Sequence, residues 1–229
     1  EHNNRRMVRF KYKPTFEIPF IENFQNGISN SDWHINNDDY SRTWDTIITG
    51  GLTNNNIAAY VNLYGYNPRS EQKDELISPN IMLSGDSITL SLQLAYQKFN
   101  NSSKQDTLQI FLSTDCGKNY NNIIFEKGGE ELSTYDETTP DFIPLDNNQW
   151  QEENLNLSAF SNEEIMLKFV TTNLRGNNIF IDDINIYNSE NNNQLNENIL
   201  ELTIRPNPSN RFFELSSNNY EIKKIIITN

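Results

Sequence analysis

Two adjacent aspartates, Asp182 and Asp183, interrupt an otherwise apolar segment that spans residues 179–187. Strand residues point alternately to opposite faces, so one aspartate shares a face with apolar side chains whichever face is buried. A β-bulge at the pair would change the alternation without removing this conflict. A buried carboxylate needs a cation, an arginine or several hydrogen-bond donors. Calcium meets this need, because it takes about six to eight oxygen ligands from carboxylates, amides and backbone carbonyls.

Candidate partners for such a cation lie near the start of the chain. Glu22 belongs to an apolar segment at residues 20–24, and the loop at residues 36–39 is rich in side-chain oxygens. The alternative is that Arg42 or backbone amides hold the Asp182 carboxylate without a metal. In either case we expect this carboxylate to contribute to stability and not to catalysis.

No arrangement of residue types in the chain predicts catalysis. The only histidines, His2 and His34, lie far apart in sequence, which excludes the common zinc-hydrolase motif. Cys116 follows an acidic residue, Asp115, whose charge disfavours the thiolate, so we interpret this cysteine as inert. Adjacent glutamates invite a glycosidase interpretation but are more typical of solvated charge; the pairs are Glu130-Glu131, Glu152-Glu153 and Glu163-Glu164. We therefore predict that this chain is not an enzyme, although a catalytic domain can lie upstream in a longer polypeptide.

Aromatic residues are the remaining signal for ligand binding. Tyr60, Tyr64 and Tyr66 lie close together in sequence, and tyrosine suits recognition surfaces because it joins apolar area to a polar tip. The same tyrosines are also able to pack inside the protein. The long segment at residues 127–149 is either a ligand-facing loop or a plain connection. We expect a protein or glycan ligand, and we expect the tryptophans to fill the core: Trp33, Trp44 and Trp150.

Composition excludes several classes of protein. The 229 residues carry a formal net charge of −13, which disfavours nucleic-acid binding because that function needs a basic surface. No apolar segment is long enough to predict a transmembrane helix. The single cysteine excludes a disulfide framework. The 38 asparagines favour turns and loops.

Alternation of apolar and polar residues dominates the chain and predicts its secondary structure. Five alternate residues at 88–96 are apolar, and the pattern recurs at 108–112 and 165–169. Turn-forming residues separate these segments, and no long segment shows the period of a helix. Short strands with polar outer faces predict an all-β fold, an antiparallel β-sandwich.

The composition divides the chain into four parts. We expect a lead-in segment at 1–14, the sandwich at 15–188, a polar linker at 189–200, and a short, incomplete second β segment at 201–229. The last part is too short to close its own core, so we expect truncation or packing against another body. The chain does not begin with an apolar signal segment, which predicts a mature protein or a fragment.

A series of motifs supports a more specific interpretation. The chain carries LISP at 76–79, DTLQI at 106–110, STDCG at 113–117, Trp150 and GNNIFIDDI at 176–184. Over residues 16–188 this series resembles the cleaved-adhesin or choice-of-anchor jelly-roll domain, which is related in fold to MAM domains. After the linker, IRPNPS at 204–209 is similar to the opening of the sorting domain that the bacterial type IX secretion system reads.

The resemblance implies a jelly-roll sandwich whose first and last strands are neighbours, with a calcium site there. We assign its ligands to Glu22, Asp38 and Asp182, with Asp39 and Asp183 as further candidates. It also implies a secreted or cell-surface bacterial protein that uses the type IX machinery.

Three hypotheses about function follow. The first is a non-catalytic, calcium-stabilised adhesion or recognition module. The second is an accessory domain that positions substrate for a secreted protease of the metalloprotease type. The third is a carbohydrate-binding module.

Overall fold

The computed structural model describes residues 14–28, 32–53, 55–66, 71–98, 106–137 and 139–190, with the backbone of 203–205 and 214–216. Contacts divide the chain into two compact units, Glu1–Asn188 and Ser189–Asn229. In the second unit, two short strands pair antiparallel, with Ile204 opposite Leu215. Residues 191–200 of the predicted linker and residues 206–209 of the sorting motif lie outside the described residues.

The first unit is built from short strands joined by turns. Its strands are β1 (Thr15–Glu17), β2 (Phe20–Glu22), β3 (His34–Asn37), β4 (Trp44–Thr49), β5 (Asn56–Val61), β6 (Gln72–Ile77), β7 (Asn80–Met82), β8 (Ile88–Tyr96), β9 (Thr107–Ser113), β10 (Asn122–Gly128), β11 (Gln151–Asn156), β12 (Glu164–Asn173) and β13 (Ile179–Asn188). The strands of the second unit are β14 (Thr203–Arg205) and β15 (Glu214–Ser216). Two 3₁₀ turns lie at Asn147–Gln149 and Ser158–Phe160.

The strands of the first unit form two sheets. One follows the order β1-β7-β12-β6-β3, with β9 and β10 joined to it through β12, and the other follows β11-β8-β13-β5-β4, with β2 joined to β13. Every described pairing is antiparallel except that of β1 with β7, which is parallel. The pairing of β2 with β13 makes an early and the last strand of the sandwich neighbours, as the resemblance implied. The predicted all-β jelly-roll sandwich is confirmed.

The core lies between the sheets and follows the alternation of the sequence. The alternate residues of β8 are all buried, as are Leu108, Ile110 and Leu112 of β9 and the apolar residues in the first half of β12. The same pattern that predicted the strands therefore identified the buried face of each. The three tryptophans are also buried, as predicted, with exposed fractions of 2–8%.

A second, smaller apolar cluster lies on the outer face of the β11-β8-β13-β5-β4 sheet. Phe180 is its centre and contacts Phe142 and Trp150 edge to face. Phe142 belongs to the long segment at 127–149, so this segment covers part of the sheet. The backbone of the segment reaches Gly50, whose N–H donates to the Pro144 carbonyl at 2.8 Å.

The described residues contain no helix of the length and apolar character needed to cross a membrane.

Candidate functional site

β13 contains Asp182 and Asp183, the two aspartates that the sequence analysis singled out. The face of the strand that points into the core changes at this pair. Ile181 before the pair and Ile184 after it both point into the core, which an unbroken alternation would not allow. The register shifts between Asp182 and Asn185, and Asp183 adopts a φ of 43°. The bulge that we considered at this pair is therefore present, and it lets both halves of the strand bury their isoleucines.

The Asp182 carboxylate is fully buried on the outer side of its sheet. Its Oδ2 accepts a hydrogen bond from Asn56 Nδ2 at 2.7 Å, and its Oδ1 accepts one from the Asp183 backbone N–H at 2.8 Å. Burial raises the pKa of Asp182 to about 7, and the charges of Asp183 and Glu22 act in the same direction. The alternative to calcium included backbone amides that hold the Asp182 carboxylate. One such amide, the Asp183 N–H, is present.

Glu22 lies opposite Ile184 in the β2–β13 ladder, next to the bulge. Its Oε1 accepts a hydrogen bond from the Phe24 backbone N–H at 2.8 Å, and its Oε2 accepts one from Trp33 Nε1 at 2.9 Å. Trp33 packs against the rings of Phe20, Phe24 and Phe169. The core thus fixes the carboxylate of Glu22 beside the aspartate pair. We refer to Glu22, Asn56, Asp182 and Asp183 as the Asp182 cluster.

The other two predicted ligands, Asp38 and Asp39, lie in the turn that follows β3, and both are exposed. Asp39 accepts hydrogen bonds from the Ser41 backbone N–H at 2.9 Å and from the Tyr66 hydroxyl. The hydroxyl of Tyr66 lowers the pKa of Asp39. These contacts hold Asp39 against a different part of the sandwich.

The length of β5 separates this turn from the Asp182 cluster. The strand begins at Asn56, in the cluster, and ends at Val61, which pairs with Trp44 shortly after the turn. At about 3.4 Å per residue the two ends lie roughly 17 Å apart. The structure therefore places Glu22, Asp182 and Asp183 in one region of the sandwich, and it places Asp38 and Asp39 elsewhere.

The donor atoms of the Asp182 cluster suit calcium, which prefers carboxylate and amide oxygens. The ion pairs of the described residues do not include Glu22, Asp182 or Asp183, so these charges have no cationic partner there. Both oxygens of Asp182 and of Glu22 already accept hydrogen bonds, however. Within the described ranges, no three acidic, histidine or cysteine side chains lie close enough to hold a metal ion together. Calcium would need backbone carbonyls to complete its shell, and its binding stays a prediction.

An open cleft lies where β4 and β5 pair at the edge of their sheet. Its volume is about 400 Å³, and it is lined by Ser41, Arg42, Thr43, Trp44, Asp45, Tyr60 and Asn62. We call it the Arg42–Tyr60 cleft. Tyr60 lies opposite the exposed Asp45 in the ladder, and its ring stacks on Phe180 at a centroid distance of 5.5 Å. Burial, followed by the charge of Asp45, raises the pKa of Tyr60, so its hydroxyl keeps its proton.

Arg42 is held at the rim of this cleft by hydrogen bonds within the protein. Its Nη1 donates to Asn62 Oδ1 at 2.8 Å and to the Tyr64 carbonyl at 2.7 Å. Its guanidinium carbon lies 5.9 Å from the centre of the Tyr66 ring. The alternative to calcium was that Arg42 holds the Asp182 carboxylate. Among the described residues, Arg42 instead donates to Asn62 and Tyr64, so it does not play that role.

Two buried asparagines fix the long segment beside the cleft. Asn178 Oδ1 accepts a hydrogen bond from the Tyr64 backbone N–H at 3.1 Å, and its Nδ2 donates to Asp141 Oδ1 at 2.9 Å and to the Phe142 carbonyl at 3.0 Å. Asn177 Oδ1 accepts one from the Phe142 N–H at 2.9 Å. The turn before β13 therefore holds the backbone at Tyr64 and the covering segment in one arrangement.

This turn is itself held by Asp106. The Asp106 carboxylate is fully buried and accepts hydrogen bonds from the backbone N–H groups of Leu174, Gly176 and Asn177 at 2.8–3.1 Å. The Tyr96 hydroxyl donates to it at 3.3 Å. Burial raises the pKa of Asp106, and the three amides oppose that rise. Asp106 holds the turn, and none of these hydrogen bonds involves a residue that lines the cleft.

Four residues that hold these sites were not predicted as site residues from the sequence: Asn56, Asp106, Asn177 and Asn178. The last three lie within the motifs that carry the resemblance, where we interpreted the asparagines only as turn formers. Asn56 carries no local signal, because its contact with Asp182 joins residues 126 positions apart.

The glutamate pairs and the cysteine lie outside these sites. Glu130 and Glu153 form ion pairs with Lys98 and Lys127, respectively. Cys116 is exposed in a turn with a φ of 58°. Glu130 and Glu153 are therefore charges at the surface, and Cys116 is a turn residue.

The chain is similar to known proteins in its structure. No protein-family model matched the chain, and no curated protein matched it. Among solved structures, the K3 cleaved adhesin domain of Lys-gingipain from Porphyromonas gingivalis matches with a TM-score of 0.51 and 18% identity, covering 73% of this chain and 97% of that one. The K1 cleaved adhesin domain of the same protein matches with a TM-score of 0.50 and 17% identity, covering 73% and 96%. At this identity the likeness establishes the shared β-sandwich fold.

Proposed function

We propose that the sandwich is a non-catalytic recognition module of a secreted or surface-attached bacterial protein, and that it binds a glycan at the Arg42–Tyr60 cleft. The observation that carries this proposal is the cleft, where an aromatic ring, a cation, a carboxylate and an amide surround one open space. The shared fold with two cleaved adhesin domains supports a role in adhesion.

The chemistry of the cleft suits a neutral, hydroxylated ligand. Sugar hydroxyls both donate and accept, so they can donate to the Asp45 carboxylate and accept from the N–H groups of Arg42 that bond to no other described residue. The hydrogen bonds of Arg42 to Asn62 and Tyr64 orient the guanidinium before binding, which lowers the entropic cost of association. The net charge of −13 disfavours an acidic ligand.

A glycan array followed by calorimetric titration tests this proposal. We expect binding to a neutral glycan that falls at least about tenfold in Arg42→Ala and in Asp45→Ala, since charge-assisted hydrogen bonds contribute about 1.5–3 kcal/mol. Glu126→Gln is the matched control, because Glu126 is exposed on β10 of the other sheet. Silence across common polysaccharides, or binding that both cleft variants retain, would contradict the proposal. A protein ligand that these variants release would instead assign the cleft to protein recognition.

We also propose that calcium stabilises the sandwich through Glu22, Asp182 and Asp183. The proposal is supported by the charges of Asp183 and Glu22, which act on Asp182, and by the lack of a cationic partner for these three carboxylates among the described residues. The test is the difference in melting temperature between calcium and chelator. We expect a positive difference for the wild type that shrinks in Glu22→Gln and persists in Asp38→Asn, whose side chain lies in the distant turn. Equal melting temperatures with calcium and with chelator would overturn it.

For export, we propose that the C-terminal unit acts as the beginning of a type IX sorting domain. The motif at 204–209 supports this assignment. In a host that carries this secretion system, replacing Arg205 and Pro206 by alanine should retain the chain inside the cell. Unchanged export of that variant would count against the assignment.

A further inference from the structure

A row of polar side chains lies inside the sandwich, away from the Asp182 cluster. The ladders place Asn37 of β3 and Thr171 of β12 on either side of Asp74 of β6. Asp74 lies two residues from the core residue Leu76 and is only 2% exposed, so it shares the inner face of the sheet. Cross-strand neighbours have Cβ atoms about 4.5–5.5 Å apart. The three side chains therefore converge between the two sheets.

Several oxygens of this row lack a hydrogen-bond partner. Within the described residues, Asn37 Oδ1, Asp74 Oδ1 and Thr171 Oγ1 are buried and unpaired. Thr43 Oγ1 is buried without a hydrogen bond among the described residues as well, although the hydroxyl lies near enough to Asp74 to lower the pKa of that carboxyl. We refer to Asn37, Thr43, Asp74 and Thr171 as the Asp74 cluster. A buried polar atom without a partner is rare and costs about 1–3 kcal/mol, so four together point to a missing partner.

The side-chain charge that acts on Asp74 is negative. Asp39 lies near enough for its charge to act on Asp74. Neither aspartate takes part in the ion pairs of the described residues. A single buried water would satisfy the hydrogen bonds of the four oxygens, but it would leave the charge of Asp74 uncompensated. A cation would supply both the contacts and the opposite charge.

We propose that the Asp74 cluster is a cation site of its own, which binds a hard divalent cation of the calcium type. The cation would contact the Asp74 carboxylate, Asn37 Oδ1 and the hydroxyls of Thr43 and Thr171, because such ions prefer oxygen ligands. Asp39 lies on the solvent side, where it increases the local negative charge. The site is independent of the Asp182 cluster, which lies near the other end of β5.

Terbium luminescence tests this proposal, because Tb³⁺ takes the same oxygen ligands as Ca²⁺ and emits when a nearby indole is excited. Trp44 Nε1 donates to the Asp74 carbonyl at 3.2 Å, so its indole lies beside the cluster. The full chain, freed of metal with chelator, is titrated with Tb³⁺ alone and then with Ca²⁺ as competitor. In a Glu22→Gln background, which weakens the Asp182 cluster, we expect sensitised emission that Ca²⁺ displaces.

The variants are chosen to preserve shape. Asp74→Asn and Thr171→Val should each reduce the emission at least about twofold, whereas Glu75→Gln, on the same strand but the opposite face, should leave it unchanged. Thr171→Val gives an independent reading if Asp74→Asn does not fold. Two results would overturn the proposal: no displaceable emission in the Glu22→Gln background, or equal emission with and without the Asp74 carboxylate. Either would assign the cluster to a buried water.

Discussion

Replacing Gly176 by alanine should destabilise the sandwich far more than an ordinary loop substitution. A Cβ at this position would lie 1.9 Å from Asp106 Oδ2 and 2.6 Å from its Cγ, well inside van der Waals contact. The carboxylate cannot retreat without losing hydrogen bonds, because it accepts from three backbone N–H groups and from Tyr96. If relief of the clash breaks two of these bonds, the cost is about 2–6 kcal/mol, since each orphaned buried donor costs about 1–3 kcal/mol.

Urea denaturation followed by tryptophan fluorescence measures this cost. For a domain of this size about 4 kcal/mol corresponds to a fall of about 8–16 °C in melting temperature. Gly65→Ala is the matched control: its Cβ would meet nothing within 4 Å, and its φ of 66° predicts only a backbone strain of about 1 kcal/mol.

A double-mutant cycle separates the contact from other effects. In an Asp106→Ala background the obstacle to the Cβ is absent, so Gly176→Ala should cost much less there than in the wild type. If Gly176→Ala is no more destabilising than Gly65→Ala, or costs the same in both backgrounds, the role assigned to Asp106 is wrong.

Three further predictions concern the Asp182 cluster and the covering segment. With chelator present, the free energy of unfolding should fall by about 2–3 kcal/mol as the pH rises from 5 to 8. The reason is that burial raises the folded-state pKa of Asp182 to about 7, so the folded protein binds this proton more tightly than the unfolded chain does. In urea titrations of Asp182→Asn, the free energy of unfolding should depend less on pH. Trp33→Phe removes the indole donor to Glu22 and should cost about 1–3 kcal/mol in thermal unfolding, in addition to the cost of the lost ring area. Asn178→Ala should increase hydrogen exchange in residues 139–142 while the exchange of β8 stays slow, and uniform acceleration would contradict its local role.

The fold was predictable because its signal is local. Alternation with a period of two reports which side of a strand is buried, and the alternate residues of β8 and β9 are buried as that pattern predicted. The conflict between alternation and polarity at Asp182 and Asp183 was also visible in advance, whereas a bulge there was only considered and not predicted. The parallel pairing of β1 with β7 was not predicted, because it depends on where a short strand meets a sheet edge.

The sites were less predictable because they are built from contacts between distant residues. Asp38 was assigned to the site of Glu22 because its loop is rich in side-chain oxygens, but β3 carries the chain away from Glu22 before Asp38 is reached. Asp74 lies between Lys73 and Glu75, in a run of charges typical of a solvated strand. Only the alternation with Leu76, two residues on, indicates that this one charge points inward.

The contrast between these aspartates separates two ways of keeping a buried carboxylate. Asp106 is saturated by four donors, three backbone N–H groups of one turn and the Tyr96 hydroxyl of β8, so its burial is complete without a cation. Asp182 has two donors and Asp74 has an oxygen with none among the described residues. Since the desolvation cost is similar for each, the need for a counter-charge should rise from Asp106 through Asp182 to Asp74. Cation dependence should therefore follow the shortage of donors around a carboxylate and not the number of acidic residues nearby, which is why the exposed acids of the β3 turn are poor candidates on their own.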